Sequence, residues 1–381
     1  MGSLGIYVHI PFCVKKCNYC DFLSFPLKTD TDCRKTESYV KALQQEIRNP
    51  FKLPESPAEV DTIYFGGGTP SLLSERQLGS ILETINRKFL VNPKAEITME
   101  CNPGTVTAQS LRAYRSLGIN RLSIGIQSAV EKELALLGRI HTFSQAKQAV
   151  LWAREAGFTN LSVDLMSAIP GQTIASYEHS LQEILALEPQ HISSYSLIIE
   201  EGTPFYEKYK DSPPVEEETD RKMYEMTQQM LADRGYVRYE ISNYALPGCE
   251  SRHNTKYWAG EDYLGVGLGA SSKIGKFRLK NETDTTTYLE KIEKRESVTF
   301  VEEQLSEEDE KIEFFILGMR CMSGVSLKEY KERFGEDASL RYGKTIQKIC
   351  GMGLAAREED RLFLTAKGID VSNLVFEMFF V

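Results

Sequence analysis

Six short apolar segments, separated by stretches with helical spacing, constrain the fold of this chain more than any other feature. They comprise residues 5–10, 61–65, 96–101, 121–126, 161–165 and 191–197. Most are continuously or nearly continuously apolar, which is typical of parallel strands buried on both faces. The repeated strand-then-helix pattern predicts a parallel α/β domain with right-handed crossovers. Because six units are too few for a closed eight-stranded barrel, we expect an open, partial (β/α)6 barrel.

The remainder of the chain changes character twice. Residues 211–220 are rich in proline and acidic side chains and are expected to form a solvated loop, before a helix over 221–234 and a strand-rich stretch to about 281. From about 301, Ser306 and Asp309 form a capping-box pattern, and Leu362 and Leu364 alternate as in a short strand. We therefore predict three regions: the barrel over 1–235, an extension over 236–300, and a small helical, winged-helix-like domain over 301–381.

Charge and hydropathy exclude some function classes. The 381 residues include 45 Lys and Arg against 54 Asp and Glu, for a formal net charge of -9. A winged helix can bind DNA, but acidic clusters at 302–303 and 307–309 argue against a nucleic-acid partner. No apolar stretch is long enough to span a bilayer, and no basic region precedes an apolar run at the start. We expect a cytoplasmic protein without an integral membrane segment.

Three of the eight cysteines fall within eight residues, directly after the first predicted strand: Cys13, Cys17 and Cys20. Thiolates this close together can ligate one iron–sulfur cluster. Three ligands for four irons would leave one iron open to a substrate or cofactor. The alternatives are a structural zinc or ordinary buried cysteines. A closed zinc site needs four ligands, and no second C-x-x-C pair exists to complete one, so the cluster is the favoured interpretation.

A glycine-rich segment, Gly66-Gly67-Gly68-Thr69-Pro70, follows the second predicted strand. Glycine allows a backbone to approach a ligand closely, although the same segment could form a plain tight turn. Its place in the chain puts it at the same end of the sheet as the cysteine loop.

The C-x3-C-x2-C spacing resembles the radical S-adenosylmethionine superfamily, and the likeness extends over most of the chain to its coproporphyrinogen III dehydrogenase-like branch. The resemblance implies a [4Fe-4S] cluster on the three cysteines, S-adenosylmethionine on the open iron and an electron donor for the cluster. It assigns contacts with the cofactor to Tyr7, Tyr19, Gly67, Gly68, Thr69, Glu100, Gln127, Arg139 and Asp164. A carboxylate and an arginine would complement the two poles of the methionine end. Alternatively, Glu100 and Asp164 only cap or bridge barrel helices.

Two members of this branch share the fold: the oxygen-independent dehydrogenase and the HemW-type heme chaperones. Three features favour the chaperones: the first strand begins at residue 5, without the long N-terminal arm of the dehydrogenase; Phe22 stands where the dehydrogenase has a further cysteine; and His253, Tyr257 and Trp258 match the H-N-x-x-Y-W motif. The resemblance implies binding of heme and its delivery to a recipient hemoprotein. The dehydrogenase, and a non-catalytic metal-stabilised binding module, remain alternatives.

His253 is the candidate heme ligand, because imidazole can bind heme iron and neighbouring aromatic rings can contact the porphyrin. The alternative is a packed, hydrogen-bonded histidine among core aromatics. The segment between Gly265 and Gly269 lacks the G-x-G-x-x-G spacing and a surrounding βαβ unit, so no dinucleotide site is expected there. We expect it to be a loop that closes the side of the barrel.

Overall fold

The computed structural model describes residues 3–27, 32–51, 59–212 and 214–380. Strands in its first half follow the predicted apolar segments. They are β1 (Leu4–Ile10), β2 (Phe12–Cys13), β3 (Phe25–Pro26), β4 (Glu59–Gly67), β5 (Leu90–Cys101), β6 (Arg121–Gln127), β7 (Leu161–Ser167) and β8 (His191–Ser196). β2 and β3 pair with each other, and the other six form one parallel sheet in the order β1-β4-β5-β6-β7-β8. The predicted six-stranded α/β core is therefore confirmed.

Helices connect these strands, as right-handed parallel crossovers require. They are α1 (Asp32–Arg48), α2 (Glu75–Lys88), α3 (Ala108–Ser116), α4 (Glu131–Leu137), α5 (Phe143–Glu155), α6 (Ile174–Leu185), α7 (Pro204–Tyr209) and α8 (Glu217–Ala232). Side-chain caps fix several starts: Ser74 and Gln77 form a reciprocal capping box on α2, and Thr173 and Ser176 form one on α6. The apolar faces of these helices cover the sheet, so both sides of the parallel strands are buried.

The extension lengthens the sheet at both edges. It contains β9 (Val237–Arg238), β10 (Asn243–Ala245), α9 (Arg252–Ala259), β11 (Tyr263–Val266), β12 (Ser271–Ile274), β13 (Phe277–Asn281), α10 (Thr285–Glu293) and β14 (Thr299–Gln304). β11 runs parallel to β1 and is followed by antiparallel β12, β13 and β14, while β10 and β9 add antiparallel strands beside β8. β14 and β9 are the two free edges of this sheet, so the barrel is open, as predicted.

The prediction of a loop between Gly265 and Gly269 was wrong for its first residues. Gly265 and Val266 belong to β11, where they pair with Tyr7 and Val8 of β1. The two segments pair because β1 offers a free edge of hydrogen-bonding groups on the side away from β4. Only the residues after Val266 form the turn to β12.

Glu46 of α1 is buried where the extension packs on the barrel. Its carboxylate accepts hydrogen bonds from the Gly267 backbone nitrogen at 3.0 Å, the Asn281 side-chain amide at 2.7 Å and the Tyr288 hydroxyl at 2.5 Å. Burial raises the pKa of Glu46 to about 7, although these donors act in the opposite direction. A carboxyl group satisfied by three separate segments ties the extension to α1.

The prediction of a solvated loop over residues 211–220 was wrong for its last four residues. Helix α8 already begins at Glu217, and Asp220 points into the protein rather than into solvent. Its carboxylate accepts hydrogen bonds from Ser167 at 3.2 Å and Ser196 at 2.7 Å, at the ends of β7 and β8. Acidic residues are favoured in the first turn of a helix, where they face the positive end of its dipole, so the same composition suits a helix start.

A second hydrophobic core lies in the C-terminal part. Its elements are α11 (Glu307–Gly318), β15 (Val325–Ser326), α12 (Leu327–Phe334), α13 (Ala338–Gly351), β16 (Ala355–Glu358), β17 (Arg361–Leu364), α14 (Ala366–Asp370) and α15 (Ser372–Glu377). The predicted capping box of Ser306 and Asp309 starts α11, and β17 pairs with β15 and β16. Phe315 stacks on Phe379 in the centre of this core.

The division of the chain at 235/236 and 300/301 stays a prediction; β14 spans the second of these positions. The C-terminal part touches the extension through the Arg320 guanidinium, which lies 4.4 Å from the ring centre of Trp258. Within the described part of the chain, no helix is both long and apolar enough to cross a bilayer.

Candidate cofactor site

A cavity of about 420 Å³ opens at the carboxyl ends of the parallel strands. In an open α/β sheet this edge is where loops from several strands converge on a ligand. The predicted site residues that line the cavity are Cys13, Cys17, Tyr19, Cys20, Gly67, Gly68, Thr69, Glu100, Gln127, Arg139 and Asp164. Tyr7 is not part of the cavity lining; it lies on β1, and its hydroxyl is 3.1 Å from His9 Nδ1. His253 lies outside the cavity lining.

Asn18 anchors the cysteine loop. Its backbone and side-chain nitrogens donate to the carbonyls of Leu137 and Leu136 at 2.9 and 2.8 Å, and its carbonyl accepts from Phe205 at 3.0 Å. The loop is thereby held against α4 and α7, with Cys17 and Tyr19 on either side of the anchor. This role could not be predicted from the sequence, because the partners lie more than a hundred residues away.

Polar groups contact two of the three thiols. The Thr69 hydroxyl donates to Cys13 Sγ at 3.5 Å, and the Arg139 guanidinium donates to Cys17 Sγ at 3.6 Å. A donated hydrogen bond or a nearby cation favours the thiolate, which is the form that binds metal. Burial is the largest influence on Cys20 and raises its pKa to about 11. All three are free cysteines.

The three thiols line one cavity, together with the glycine segment. In an iron–sulfur cluster each thiolate binds a different iron, so the ligands surround the cluster instead of meeting at one point. Three thiols that border one cavity are compatible with this kind of ligation.

A fourth cysteine, Cys101, also borders the cavity. Its thiol donates to the Met99 carbonyl at 3.8 Å, and burial holds its pKa well above the usual range. This hydrogen bond holds the Cys101 thiol against its own strand, β5, whereas the other three cysteines belong to the loop after β1.

The glycine segment packs directly on the start of the cysteine loop. The Gly68 nitrogen donates to the Ile10 carbonyl at 2.8 Å, and a Cβ at position 68 would lie 2.6 Å from the Phe12 carbonyl oxygen. Gly67 has φ of +108°, and a Cβ there would lie 2.4 Å from the His9 ring. Gly68 is thus required by a backbone contact, and Gly67 by its positive φ and its contact with the His9 ring; this close packing positions Thr69 beside Cys13.

Two partly buried carboxyl groups face the cavity. Glu100 accepts hydrogen bonds from the Tyr64 hydroxyl at 2.9 Å and the Gly67 nitrogen at 3.1 Å. Asp164 accepts one from the Ser123 hydroxyl at 3.3 Å. Burial is the main cause of the raised pKa of both groups, to about 7 for Glu100, and each donor partly offsets it. Neither carboxylate pairs with a described helix end, so the alternative of a capping role is not supported.

Arg139 keeps unused hydrogen-bonding capacity. One Nη donates to the Gly125 carbonyl at 2.5 Å and the other to Cys17, but its buried Nε has no partner among the described residues. A buried donor without a partner is unfavourable, and a bound anionic group would satisfy it. The cavity therefore fits a ligand that carries both an anionic and a cationic group.

Gln127 sits at the end of β6 with a positive φ of +73°, which is uncommon for a residue with a side chain. Its side-chain oxygen accepts from the Tyr195 hydroxyl of β8 at 3.1 Å. Such backbone strain is concentrated at functional sites. Tyr195 also lines the cavity but was not among the predicted site residues; its only signal in the sequence is its place near the end of a predicted strand.

His253 is 1% exposed and hydrogen bonded through both ring nitrogens. Nδ1 meets the Thr62 hydroxyl at 2.9 Å and Nε2 meets the Tyr257 hydroxyl at 2.8 Å. Burial lowers its pKa to about 3, so the ring is neutral. In the structure His253 is therefore a packed, hydrogen-bonded histidine, which was the alternative to a heme ligand. Ligation of iron by His253 would require one of these two bonds to break and the ring to become accessible.

The parallel sheet and the three thiols at its carboxyl edge define a radical S-adenosylmethionine protein. The chain matches the Radical SAM superfamily over residues 7–184 and the HemN C-terminal domain over residues 305–371. It belongs to the HemW family of this superfamily. It is 35% identical to the heme chaperone HemW of Bacillus subtilis over 380 residues, covering 98% of both chains, and 40% identical to HemW of Escherichia coli over 276 residues, covering 72% of this chain and 71% of that one.

Among solved structures, the coproporphyrinogen III oxidase HemN from Escherichia coli, described as a radical SAM enzyme, superimposes with a TM-score of 0.87. The match covers 99% of this chain and 90% of that one at 24% sequence identity. At that identity the likeness establishes the shared fold, including the C-terminal part.

The packing of Gly67 on His9 leads to a stability prediction. Gly118 has a similar φ of +97°, but nothing lies within 4 Å of a Cβ placed there. We expect Gly118→Ala to lower the free energy of unfolding by about 1 kcal/mol, from backbone strain alone, and Gly67→Ala by about 2–4 kcal/mol because the methyl group also meets His9. Urea unfolding followed by circular dichroism measures both. Equal losses would show that His9 has room to move aside.

Proposed function

We propose that this protein holds a [4Fe-4S] cluster on Cys13, Cys17 and Cys20, binds S-adenosylmethionine beside it, and binds heme for delivery to a recipient hemoprotein. The observation that carries the heme role is the full-length similarity to HemW, a heme chaperone by name. The cofactor role is carried by the convergence of the three thiols with a carboxylate and an arginine in one cavity. An electron donor for the cluster is a further partner that this proposal requires.

The cluster, when bound, would supply an iron with an open coordination position for the amino acid end of S-adenosylmethionine. The residues of this chain bind and orient that ligand. Glu100 suits its ammonium group, and the unpaired Nε of Arg139 suits its carboxylate. Tyr19, Gln127 and Asp164 complete the cavity wall, and the backbone of Gly67 and Gly68 closes it on the side of the cysteine loop.

Heme needs an apolar surface for its porphyrin face. Phe22 and Ile198 line the cavity and are 59% and 68% exposed, so two large apolar side chains are accessible there. Lys15 and Lys16 on the same rim could meet propionates. The role of His253 as the iron ligand stays a prediction, because it requires one of the hydrogen bonds of the ring to break and the ring to become accessible. The cytoplasmic location of the protein also stays a prediction.

The first test concerns the cluster. Alanine in place of Cys13, Cys17 or Cys20 should remove most iron and acid-labile sulfide after anaerobic reconstitution, because the two remaining thiolates cannot hold a four-iron cluster. Cys101→Ala is the matched control: it borders the same cavity but donates to Met99, so its iron and sulfide content should equal that of the wild type. One zinc per chain without sulfide would instead favour a metal-stabilised binding module.

The second test separates the chaperone from the coproporphyrinogen dehydrogenase, whose fold the chain shares. Anaerobic protein with a loaded cluster is offered heme, and uptake and transfer to an apo-hemoprotein are followed by the Soret band. The same protein is offered coproporphyrinogen III with reductant and S-adenosylmethionine. We expect heme uptake and transfer without decarboxylation. Clear turnover of coproporphyrinogen would replace the chaperone proposal by the dehydrogenase.

A further inference from the structure

Aromatic side chains connect His253, the first residue of the H-N-x-x-Y-W motif, to the cofactor cavity. Glu100 lines the cavity, and both of its oxygens are engaged: Oε1 by the Tyr64 hydroxyl and Oε2 by the Gly67 nitrogen. Tyr64 is half-buried on β4, two positions before Gly66, and its ring lies beside the Gly66 position together with Tyr7 and Glu100. Its hydroxyl is the only side-chain donor to Glu100 among the described residues, and together with the Gly67 nitrogen it fixes the direction of the carboxylate.

Two rings pack against Tyr64. The His253 imidazole stacks on it with 5.2 Å between ring centres and 26° between planes, and the Tyr7 ring, on the neighbouring strand, lies at 6.2 Å and 24°. The hydroxyl of a tyrosine lies in the plane of its ring, so neighbours that restrict the ring also restrict the direction of its hydroxyl. Offset stacking of this kind also contributes beyond the burial of area.

His253 is itself fixed to the two strands that carry Tyr64 and Glu100. Nδ1 bonds to Thr62, two residues before Tyr64 on β4, and its backbone nitrogen donates to Glu96 on β5 at 3.1 Å. Gly5 makes room for it, since a Cβ there would lie 3.0 Å from Thr62 Oγ1 and 3.3 Å from His253 Cε1. Helix α9 thus docks its first turn into the lower end of the barrel.

The geometry points to Tyr64 and His253 as positioning residues that hold the Glu100 carboxylate ready for the ammonium group of S-adenosylmethionine. The role rests on the proposed binding of S-adenosylmethionine but not on the proposed binding of heme. In this role His253 contributes to the binding of S-adenosylmethionine whether or not it also ligates heme iron. Fixing the carboxylate in advance lowers the entropic cost of binding the ligand.

Affinity for S-adenosylmethionine tests the role in cluster-loaded, heme-free protein. Tyr64→Phe removes only the hydroxyl and keeps the stacked ring, and we expect it to weaken binding about tenfold, the effect of a lost hydrogen bond to a charged group. His253→Ala should weaken binding by a similar factor. The double variant should be no weaker than the poorer single one, because both changes act through the same carboxylate. Equilibrium dialysis with labelled S-adenosylmethionine gives the dissociation constants.

His191→Ala is the matched control. His191 is also buried and also bonds through both ring nitrogens, to Ser162 at 2.7 Å and Tyr239 at 2.9 Å, on the opposite side of the barrel from β4. Its loss should leave affinity for S-adenosylmethionine within about twofold of the wild type, since its partners do not include Glu100 or Tyr64.

Electron paramagnetic resonance of the reduced cluster separates positioning from general damage. Without S-adenosylmethionine, all variants should give the wild-type cluster signal; with it, Tyr64→Phe and His253→Ala should need about ten times more ligand for the same spectral change. Wild-type affinity in Tyr64→Phe would overturn the role, and this variant keeps the test decisive if His253→Ala fails to fold. A wild-type protein that holds the cluster but does not bind S-adenosylmethionine would instead refute the proposed function, and the role with it.

Discussion

Direct packing of the glycine segment on the cysteine loop is the constraint on which the rest of the site depends. Gly68 hydrogen bonds to Ile10 and leaves no room for a side chain against Phe12, so the end of β4 and the start of the cysteine loop are held at backbone contact. This contact places Thr69 beside Cys13, and the Gly67 nitrogen beside Glu100. One short piece of backbone therefore joins the metal-binding loop to the carboxylate that faces it.

A second layer supports this arrangement from inside the barrel. Tyr7, Tyr64 and His253 stack beneath the cavity, and polar atoms of β4 and β5 satisfy the histidine. Buried polar groups with complete hydrogen bonding specify one arrangement of a core, because any alternative leaves a donor or acceptor unpaired. The cavity is thus preorganised by a network that extends to α9, and through Trp258 of that helix to Arg320 in the C-terminal part.

The local pattern of the sequence predicted much of this correctly. Continuous apolar segments gave the six parallel strands, and since the carboxyl ends of parallel strands share one edge, residues as distant as Cys13 and Asp164 could be expected in one cavity. Contacts between distant segments were not predictable. Asn18 is ordinary in sequence, and its anchoring role exists only because α4 and α7 fold over the loop. Tyr64 resembles any other strand residue until its hydroxyl is known to reach Glu100 on the next strand.

His253 is a second residue whose contacts with distant segments could not be predicted from the sequence. Its motif allowed an iron ligand or a packed ring, and the choice depends on whether Thr62 and Tyr257 reach its two nitrogens, which spacing along the chain does not reveal. Composition gave a wrong prediction for residues 217–220, because acidic side chains suit a helix start as well as a solvated loop.

The central claim is that three thiolates hold a four-iron cluster and leave one iron open to S-adenosylmethionine. Mössbauer spectroscopy of protein reconstituted with iron-57 under anaerobic conditions tests it most directly. The account predicts that adding S-adenosylmethionine changes the signal of one iron in four and leaves the other three as they were. A spectrum that S-adenosylmethionine does not alter, or one without the features of a four-iron cluster, would contradict it.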